Sequence, residues 1–158
     1  MSLILRRSLI FFALLLAGLV LYSFWYGMKA DRYEETAIPY LESAMPKLTS
    51  WQYDKLKSLL SPAARLDFEN EKVRAAYQSF SRLGQFQSME KPRYTASRAE
   101  SSEALGDIEL IDYQVALQFD SGPAVIKIKL VADGKSYYVQ HFGFHSEIFA
   151  DDSSSPGN

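Results

Sequence analysis

The feature that most constrains this chain is an uninterrupted stretch without charged side chains, residues 9–28, which reads LIFFALLLAGLVLYSFWYGM. Twenty helical residues rise about 30 Å, which matches the hydrocarbon core of a bilayer. A domain built from the rest of a 158-residue chain is too small to surround a helix that is apolar on every side. The stretch therefore predicts a transmembrane helix rather than a buried core helix.

The residues that flank this stretch predict its orientation. Arg6 and Arg7 precede it, whereas Tyr22, Trp25 and Tyr26 cluster at its far end. Basic residues tend to stay on the cytoplasmic side, and Tyr and Trp rings favour the membrane interface. We therefore expect residues 1–8 in the cytoplasm, a single-pass anchor over 9–28 in the inner (cytoplasmic) membrane, and a periplasmic or otherwise extracytoplasmic domain.

A cleaved signal peptide is the alternative interpretation of the same stretch. Such a peptide has an apolar segment of about 7–15 residues followed by a small-x-small cleavage site. The stretch here is longer, and residues 22–26 read YSFWY. A lipoprotein would need a cysteine, and the chain has none. The sequence therefore favours an uncleaved anchor.

The charge balance excludes several classes of function. All 19 acidic residues follow Met28, whereas two of the 17 basic ones precede it, so the extramembrane part is acidic. Nucleic-acid binding requires a basic face, so we expect no nucleic-acid partner. The absence of cysteine excludes disulfides, thiolate metal sites and cysteine nucleophiles. Aromatic residues make up 14% of the chain, which is typical of a folded domain with a real core.

Residues 29–149 are predicted to form one domain whose first half is helical. Pro39 lies inside a helical pattern of apolar residues, so the helix either kinks there or begins anew at Thr36. Further helices are predicted from a capping-box spacing, from a serine followed by proline, and from an asparagine cap, with a glycine ending the last helix. These signals are Thr49 with Gln52, Ser61 with Pro62, Asn70 and Gly84.

The second half alternates with a period of two. Strands are predicted over 85–99, with Pro92 indicating an edge, and over 109–119, 124–130 and 135–148. Asp133 and Gly134 form a hairpin signal, and residues 150–158 are predicted to be a flexible tail. Helices followed by an antiparallel meander predict an α+β fold with three to four helices packed on a curved antiparallel sheet.

This order of elements resembles the nuclear transport factor 2-like, cystatin-like superfamily, and within it bacterial membrane-anchored domains of unknown function. The resemblance covers about residues 36–149 and implies a cone between the helices and the sheet. It implies no catalytic residue, because the superfamily contains enzymes, small-molecule binders and anchored subunits of secretion machines. The segments that carry it are Trp51, residues 56–62, 80–84, 113–119, 124–126 and 142–146.

His141, His145 and Glu147 are the candidate interaction residues. Even spacing places them on one face of the predicted last strand. His145 and Glu147 would be about 7 Å apart and His141 about 13 Å from His145, with no third metal ligand nearby. We therefore expect neither a metal nor a cofactor, and assign the three residues to contact with a partner protein or a second copy. Lys127 and Lys129 alternate on one strand, which favours a solvated sheet face over an anion site.

An acid–base enzyme would need a carboxylic acid and a phenol inside the cone. Asp112 and Tyr113 are adjacent in a strand and point to opposite faces, and no other spacing selects a pair. We therefore expect a non-enzymatic, membrane-anchored binding or scaffold protein for a protein partner or small apolar ligand. An enzyme or ligand carrier that uses the cone, and a subunit of a secretion-type envelope complex, are the alternatives.

Overall fold

A computed structural model describes residues 3–102, 106–134 and 136–149 of the chain. Within the first helix it describes the side chains of residue 8, residues 10–24 and residues 33–48. The predicted tail, residues 150–158, lies outside the described residues. The chain divides into two compact units, Met1–Glu35 and Thr36–Asn158.

The first helix, α1, extends over Leu3–Leu48 as one element, with Pro39 and Pro46 inside it. No new helix begins at Thr36, so that alternative is wrong. In the first unit, the described side chains from Ile10 to Phe24 are all exposed and none carries a charge. Within the described residues, no helix is long and apolar enough to cross a membrane.

The described residues of the second unit then form the short helices α2 (Tyr53–Lys57), α3 (Pro62–Asp67) and α4 (Glu71–Ser79). The Ser61 hydroxyl accepts a hydrogen bond from the Ala64 amide at 3.1 Å, and the Asn70 side chain accepts one from the Lys72 amide at 2.9 Å. Both predicted caps are therefore confirmed. A 3-10 helix, Phe80–Leu83, continues α4 and ends at Gly84, as predicted.

The predicted capping box at Thr49 and Gln52 is wrong. The Thr49 hydroxyl donates to the Met45 carbonyl at 2.8 Å, so it belongs to the end of α1. Gln52 is the N-cap of α2 but makes no side-chain cap bond. Trp51, between them, has a φ of +56°, and this left-handed residue turns the chain away from the geometry that a capping box needs.

Within the part of the chain that the structure describes, five antiparallel strands follow the helices, so the α+β prediction is confirmed. The strands β1 and β2 both pair with β3, and β3 then pairs with β4 and β4 with β5. The buried Pro92 lies between β1 and β2, the two strands that pair with the same side of β3. Because Pro92 belongs to neither strand, its lack of a backbone N–H removes no hydrogen bond from the sheet. The strands are β1 (Phe86–Met89), β2 (Arg93–Ser102), β3 (Gly106–Phe119), β4 (Gly122–Asp133) and β5 (Ser136–His145).

Two tight hairpins join β3 to β4 and β4 to β5, and the second lies one residue from the predicted position. Phe119 pairs with Gly122, which makes Asp120 and Ser121 the loop between β3 and β4. Asp133 pairs with Ser136 and belongs to β4, and Gly134 follows it with a φ of +61°. Asp133 and Gly134 therefore correctly indicate a turn, but the ladder between β4 and β5 includes Asp133.

The core lies between the sheet and the helices. Tyr113, Val115, Leu117 and Phe119 alternate along β3 and are all buried, which confirms the period-two pattern. Inward residues of β4 continue this layer, and the second-unit part of α1 buries an apolar stripe. The largest fully buried members of these two sets are Ile126, Ile128, Leu130, Leu41, Met45 and Leu48.

A β-bulge at Gln140 changes the face that β5 presents. Lys129 pairs with His141, whereas Leu130 pairs with Val139, so Gln140 is an extra residue in the ladder. Val139 is buried before the bulge, and after it the even-numbered Phe144 is buried. The bulge therefore turns the odd-numbered residues that follow it to the outer face.

Candidate functional site

The space between the helices and the sheet is occupied by a cluster of aromatic rings. The indole of Trp51 lies 5.9 Å from the ring of Tyr77, 5.9 Å from that of Phe119 and 5.6 Å from that of Phe144, between ring centroids. Phe142 extends the cluster at 6.0 Å from Tyr77. Such offset and edge-on ring pairs stabilise a core beyond the area that they bury. This part of the interior is therefore packed with side chains.

Tyr77 has a structural hydrogen bond. Its hydroxyl donates to the Leu48 carbonyl at 2.8 Å, and burial raises the pKa of this phenol to about 12. The phenol therefore stays protonated near neutral pH, and its proton is already engaged by the backbone. The Tyr77 hydroxyl is therefore not free to donate this proton to a ligand while the bond to Leu48 is made.

An apolar groove opens between α3, α4 and the second half of β5. Its volume is about 610 Å³, within the range of small-molecule sites. Leu66 is 67% exposed at its wall. The apolar lining consists of Leu60, Ala64, Leu66, Phe68, Val73, Ala76, Tyr77, Phe80 and Phe142, and the polar lining of Asp67, Asn70, Lys72, Gln140 and His141.

The apolar side chains of α4 and of the 3-10 helix that continues it divide between the core and this groove. Tyr77 and Leu83 are buried, but Val73 and Phe80 are only half-buried and Ala76 is exposed. Periodicity identifies which residues share a face, but it carries no information on how far the opposite layer extends. The groove was therefore missed because its residues have the same pattern as core residues.

The outer face of the sheet carries a basic dish, which we define by Lys127, Lys129, His141, Gly143 and His145. Lys127 pairs with Gly143, and Lys129 pairs with His141 in the β4–β5 ladder. Directly paired residues have side chains about 5 Å apart on one face. The register thus brings two lysines and two histidines together around a glycine.

Gly143 forms the floor of the dish. No heavy atom lies within 4 Å of the position that a Cβ at Gly143 would take, so the space above it is open. The dish has a volume of about 490 Å³. Asp112 is the carboxylate in its described lining, and an Arg98 nitrogen lies 3.9 Å from an Asp112 oxygen.

The structure brings together two of the three predicted interaction residues. His141 and His145 are exposed on the outer face of β5 and line the same dish. Glu147 does not lie in the strand: β5 ends at His145, and Glu147 begins a 3-10 helix, Glu147–Phe149. The described residues contain no group of three or more His, Cys, Asp or Glu side chains that is arranged to hold a metal ion.

The predicted anchor residues all belong to α1. Tyr22 is 64% exposed. The side chains of Arg6, Arg7, Trp25 and Tyr26 lie outside the described set.

Asp112 and Tyr113 point to opposite faces, as predicted. Tyr113 is 2% exposed and belongs to the core, whereas Asp112 is half-buried and lines the outer dish.

No protein-family model, no curated protein and no solved structure matches this chain.

Proposed function

We propose that this chain is a membrane-anchored, non-enzymatic binding protein that presents a nuclear transport factor 2-like domain outside the cytoplasm. The anchor is residues 9–28, with Arg6 and Arg7 on the cytoplasmic side and Tyr22, Trp25 and Tyr26 at the opposite interface. The domain binds a small apolar ligand, or an apolar side chain of a partner protein, in its groove.

The observation that carries the anchoring is the exposed apolar surface of residues 10–24. Every large hydrophobic side chain in this segment is 49–69% exposed. Each such side chain gains about 1.5–3 kcal/mol on leaving water, so a contiguous set of them strongly favours an apolar environment. These residues are Ile10, Phe11, Phe12, Leu14, Leu15, Leu16, Leu19, Val20, Leu21, Tyr22 and Phe24.

The anchoring is tested by membrane fractionation of bacterial cells that express the full chain. The wild-type chain should stay with the membrane after alkaline carbonate extraction, whereas Leu15→Arg combined with Leu19→Arg should move at least half of it to the soluble fraction. Leu66→Arg is the control for an arginine added at an exposed leucine outside the segment, since Leu66 is 67% exposed and Leu15 and Leu19 are 49% and 55% exposed. Full release of the wild type by carbonate would contradict the proposal.

The orientation is tested with alkaline phosphatase, which becomes active only outside the cytoplasm. A C-terminal fusion should be active, and replacing Arg6 and Arg7 by Glu should lower its activity because the positive-inside signal is lost. An inactive fusion to the wild-type chain would reverse the proposed orientation.

Binding in the groove is favoured over catalysis by the state of its acid–phenol pair. Asp67 and Tyr77 both line the groove, but the Tyr77 proton is donated to the Leu48 carbonyl. Burial also raises the pKa of Tyr77 to about 12. The apolar walls, in contrast, have the character of sites that bind by desolvation.

Groove binding is tested by NMR titration of the full chain in lipid nanodiscs with indole as the apolar probe. Ala76→Arg places a long side chain in the groove and should weaken indole binding at least tenfold. Ala75→Arg is the matched control, since Ala75 is also exposed on α4 but does not line the groove. Equal affinities for the two variants would contradict the assignment of the groove.

A further inference from the structure

We propose that the basic dish on the outer face of the sheet is a binding site for a phosphate group. The site consists of Lys127, Lys129, His141 and His145 arranged around Gly143. Its chemistry differs from that of the apolar groove, although His141 lines both, and the proposal rests neither on the anchoring nor on the identity of a groove ligand.

The arrangement of charge is the first argument. The extramembrane part of the chain is acidic overall, yet two lysines and two histidines line this dish. Asp112 is the carboxylate among its described lining residues, and it has Arg98 within 3.9 Å and Lys129 paired opposite it. A cationic concavity on an acidic domain concentrates anions locally.

The geometry is the second argument. His141 and His145 lie on either side of Gly143, each about 7 Å from it along the strand. Lys127 comes from the neighbouring strand directly opposite Gly143. Donors therefore surround the open floor from three directions, which suits a phosphate group because it has several acceptor oxygens.

The missing side chain at position 143 is the third argument. Glycine is unfavourable in the interior of a strand, because it loses more chain entropy than other residues and has no side chain to pack. No positive φ requires glycine at this position, and no neighbouring atom excludes a Cβ. The space that the glycine leaves open is therefore available to a ligand that approaches the backbone closely.

The phosphate group has two sources, a soluble phosphorylated compound and a phospholipid headgroup. The full chain in nanodiscs of phosphatidylcholine is titrated with inorganic pyrophosphate and followed by calorimetry and by the imidazole signals of His141 and His145. In a second arm, the same signals are compared between phosphatidylcholine nanodiscs and nanodiscs that contain phosphatidylglycerol. A response to pyrophosphate alone assigns a soluble ligand, and a response to phosphatidylglycerol assigns the lipid headgroup.

Lys127→Gln combined with Lys129→Gln should weaken pyrophosphate binding at least tenfold. The control, Lys55→Gln combined with Lys57→Gln, removes the same charge from exposed positions on α2 and should change the affinity less than twofold. Equal losses in both double variants would overturn the proposal, because they would reveal a diffuse charge effect.

Gly143→Val tests the shape of the site separately from its charge. Valine favours strands and meets open space here, so the thermal midpoint should not fall, yet the Val side chain should reduce pyrophosphate binding at least tenfold. Undiminished binding by a folded Gly143→Val chain would overturn the proposal. So would the absence of any response of the wild-type chain to both phosphate sources.

Discussion

The indole nitrogen of Trp51 donates a hydrogen bond to the Gly84 carbonyl at 2.8 Å, and it joins two turns that lie 33 residues apart. Each of the two residues has a positive φ, +56° at Trp51 and +81° at Gly84. A bulky residue in this backbone region is strained, so the surrounding contacts must hold it there. The bond ties the end of α1 to the chain just before the sheet.

Trp51→Phe should therefore destabilise the second unit. The variant keeps an aromatic ring but removes the donor, which leaves the Gly84 carbonyl without this partner and costs about 1–3 kcal/mol. The measurement is urea unfolding of the full chain in nonionic detergent, followed by near-ultraviolet circular dichroism. Gln52→Ala is the control, since Gln52 is exposed and makes no side-chain cap bond; a Trp51→Phe midpoint equal to that control would contradict the role of the bond.

Gly84→Ala should be among the most damaging single substitutions in the chain. With φ +81° and ψ −146°, Gly84 occupies a region that is essentially reserved for glycine. An added Cβ would also overlap the carboxylate of Asp120, whose Oδ1 accepts a hydrogen bond from the Gln85 amide at 2.9 Å. We expect a loss of more than about 3 kcal/mol in unfolding free energy.

Gly106→Ala shows the cost of a positive φ where an added Cβ meets no other atom. Gly106 also has a positive φ, +70°, but no atom lies within 4 Å of the position of an added Cβ. This variant should lose only the conformational part, about 1–2 kcal/mol. If both alanine variants unfold at the same urea concentration, the contact between Gly84 and Asp120 has no energetic importance.

Ser61→Ala should cost more than an ordinary helix cap. The buried Ser61 hydroxyl accepts from the Ala64 amide at 3.1 Å and donates to the Gln140 side-chain oxygen at 2.5 Å. Asn70→Ala, which removes an exposed cap, should lower the unfolding free energy by about 1 kcal/mol and Ser61→Ala by about 2–3 kcal/mol. A double-mutant cycle with Gln140→Ala should show coupling of about 1 kcal/mol, and additive effects would show that the cap and the bulge are independent.

Tyr40 and Tyr77 allow the energetic effect of a buried tyrosine hydroxyl to be compared with and without a hydrogen-bond partner. Within the described residues the buried Tyr40 hydroxyl has no hydrogen-bond partner, whereas the Tyr77 hydroxyl donates to the Leu48 carbonyl. Tyr40→Phe should therefore leave the unfolding free energy unchanged within about 0.5 kcal/mol or raise it, whereas Tyr77→Phe should lower it by about 1–2 kcal/mol. Thermal unfolding of both variants checks this order, and the reverse order would contradict it.

The same two phenols predict a loss of stability at alkaline pH. Burial raises the pKa of Tyr40, with a further contribution from nearby Tyr138, and it raises the pKa of Tyr77, each to about 12. Because an unfolded tyrosine releases its proton near pH 10, the unfolded state binds fewer protons between pH 10 and 12, and stability falls as pH rises through that interval. Absorbance at 295 nm should show a late-titrating component that disappears in the double Tyr→Phe variant; complete ionisation by pH 11 in the wild type would contradict it.

Much of this fold could be predicted because its elements have strong local signals. The alternation along β3 and the caps at Ser61 and Asn70 depend on neighbouring residues only, and the structure confirms them. Thr49 and Gln52 have the spacing of a capping box, but the left-handed backbone of Trp51, held by contacts distant in sequence, overrides it. Local patterns fail where a tertiary contact determines the backbone.

The candidate sites were harder to predict. The dish depends on the register between β4 and β5, and the groove depends on which apolar side chains the opposite layer leaves uncovered. The lysines of β4 and the histidines of β5 were each noted in the sequence, but only the pairing of Lys127 with Gly143 and of Lys129 with His141 brings them together. The position of the Gln140 bulge determines that pairing, and a polar residue between two regular segments gives no sign of a bulge. The groove, likewise, consists of apolar residues whose pattern is the same as that of core residues.

The bulge at Gln140 also links two opposite faces of the sheet. His141, the residue after it, lines both the apolar groove and the basic dish. A ligand that displaced this imidazole on one face would change the affinity for a ligand on the other, and thermodynamic linkage would require that effect to be reciprocal and equal in size. Because of the extra residue Gln140, the edge strand β5 contributes to both candidate binding sites.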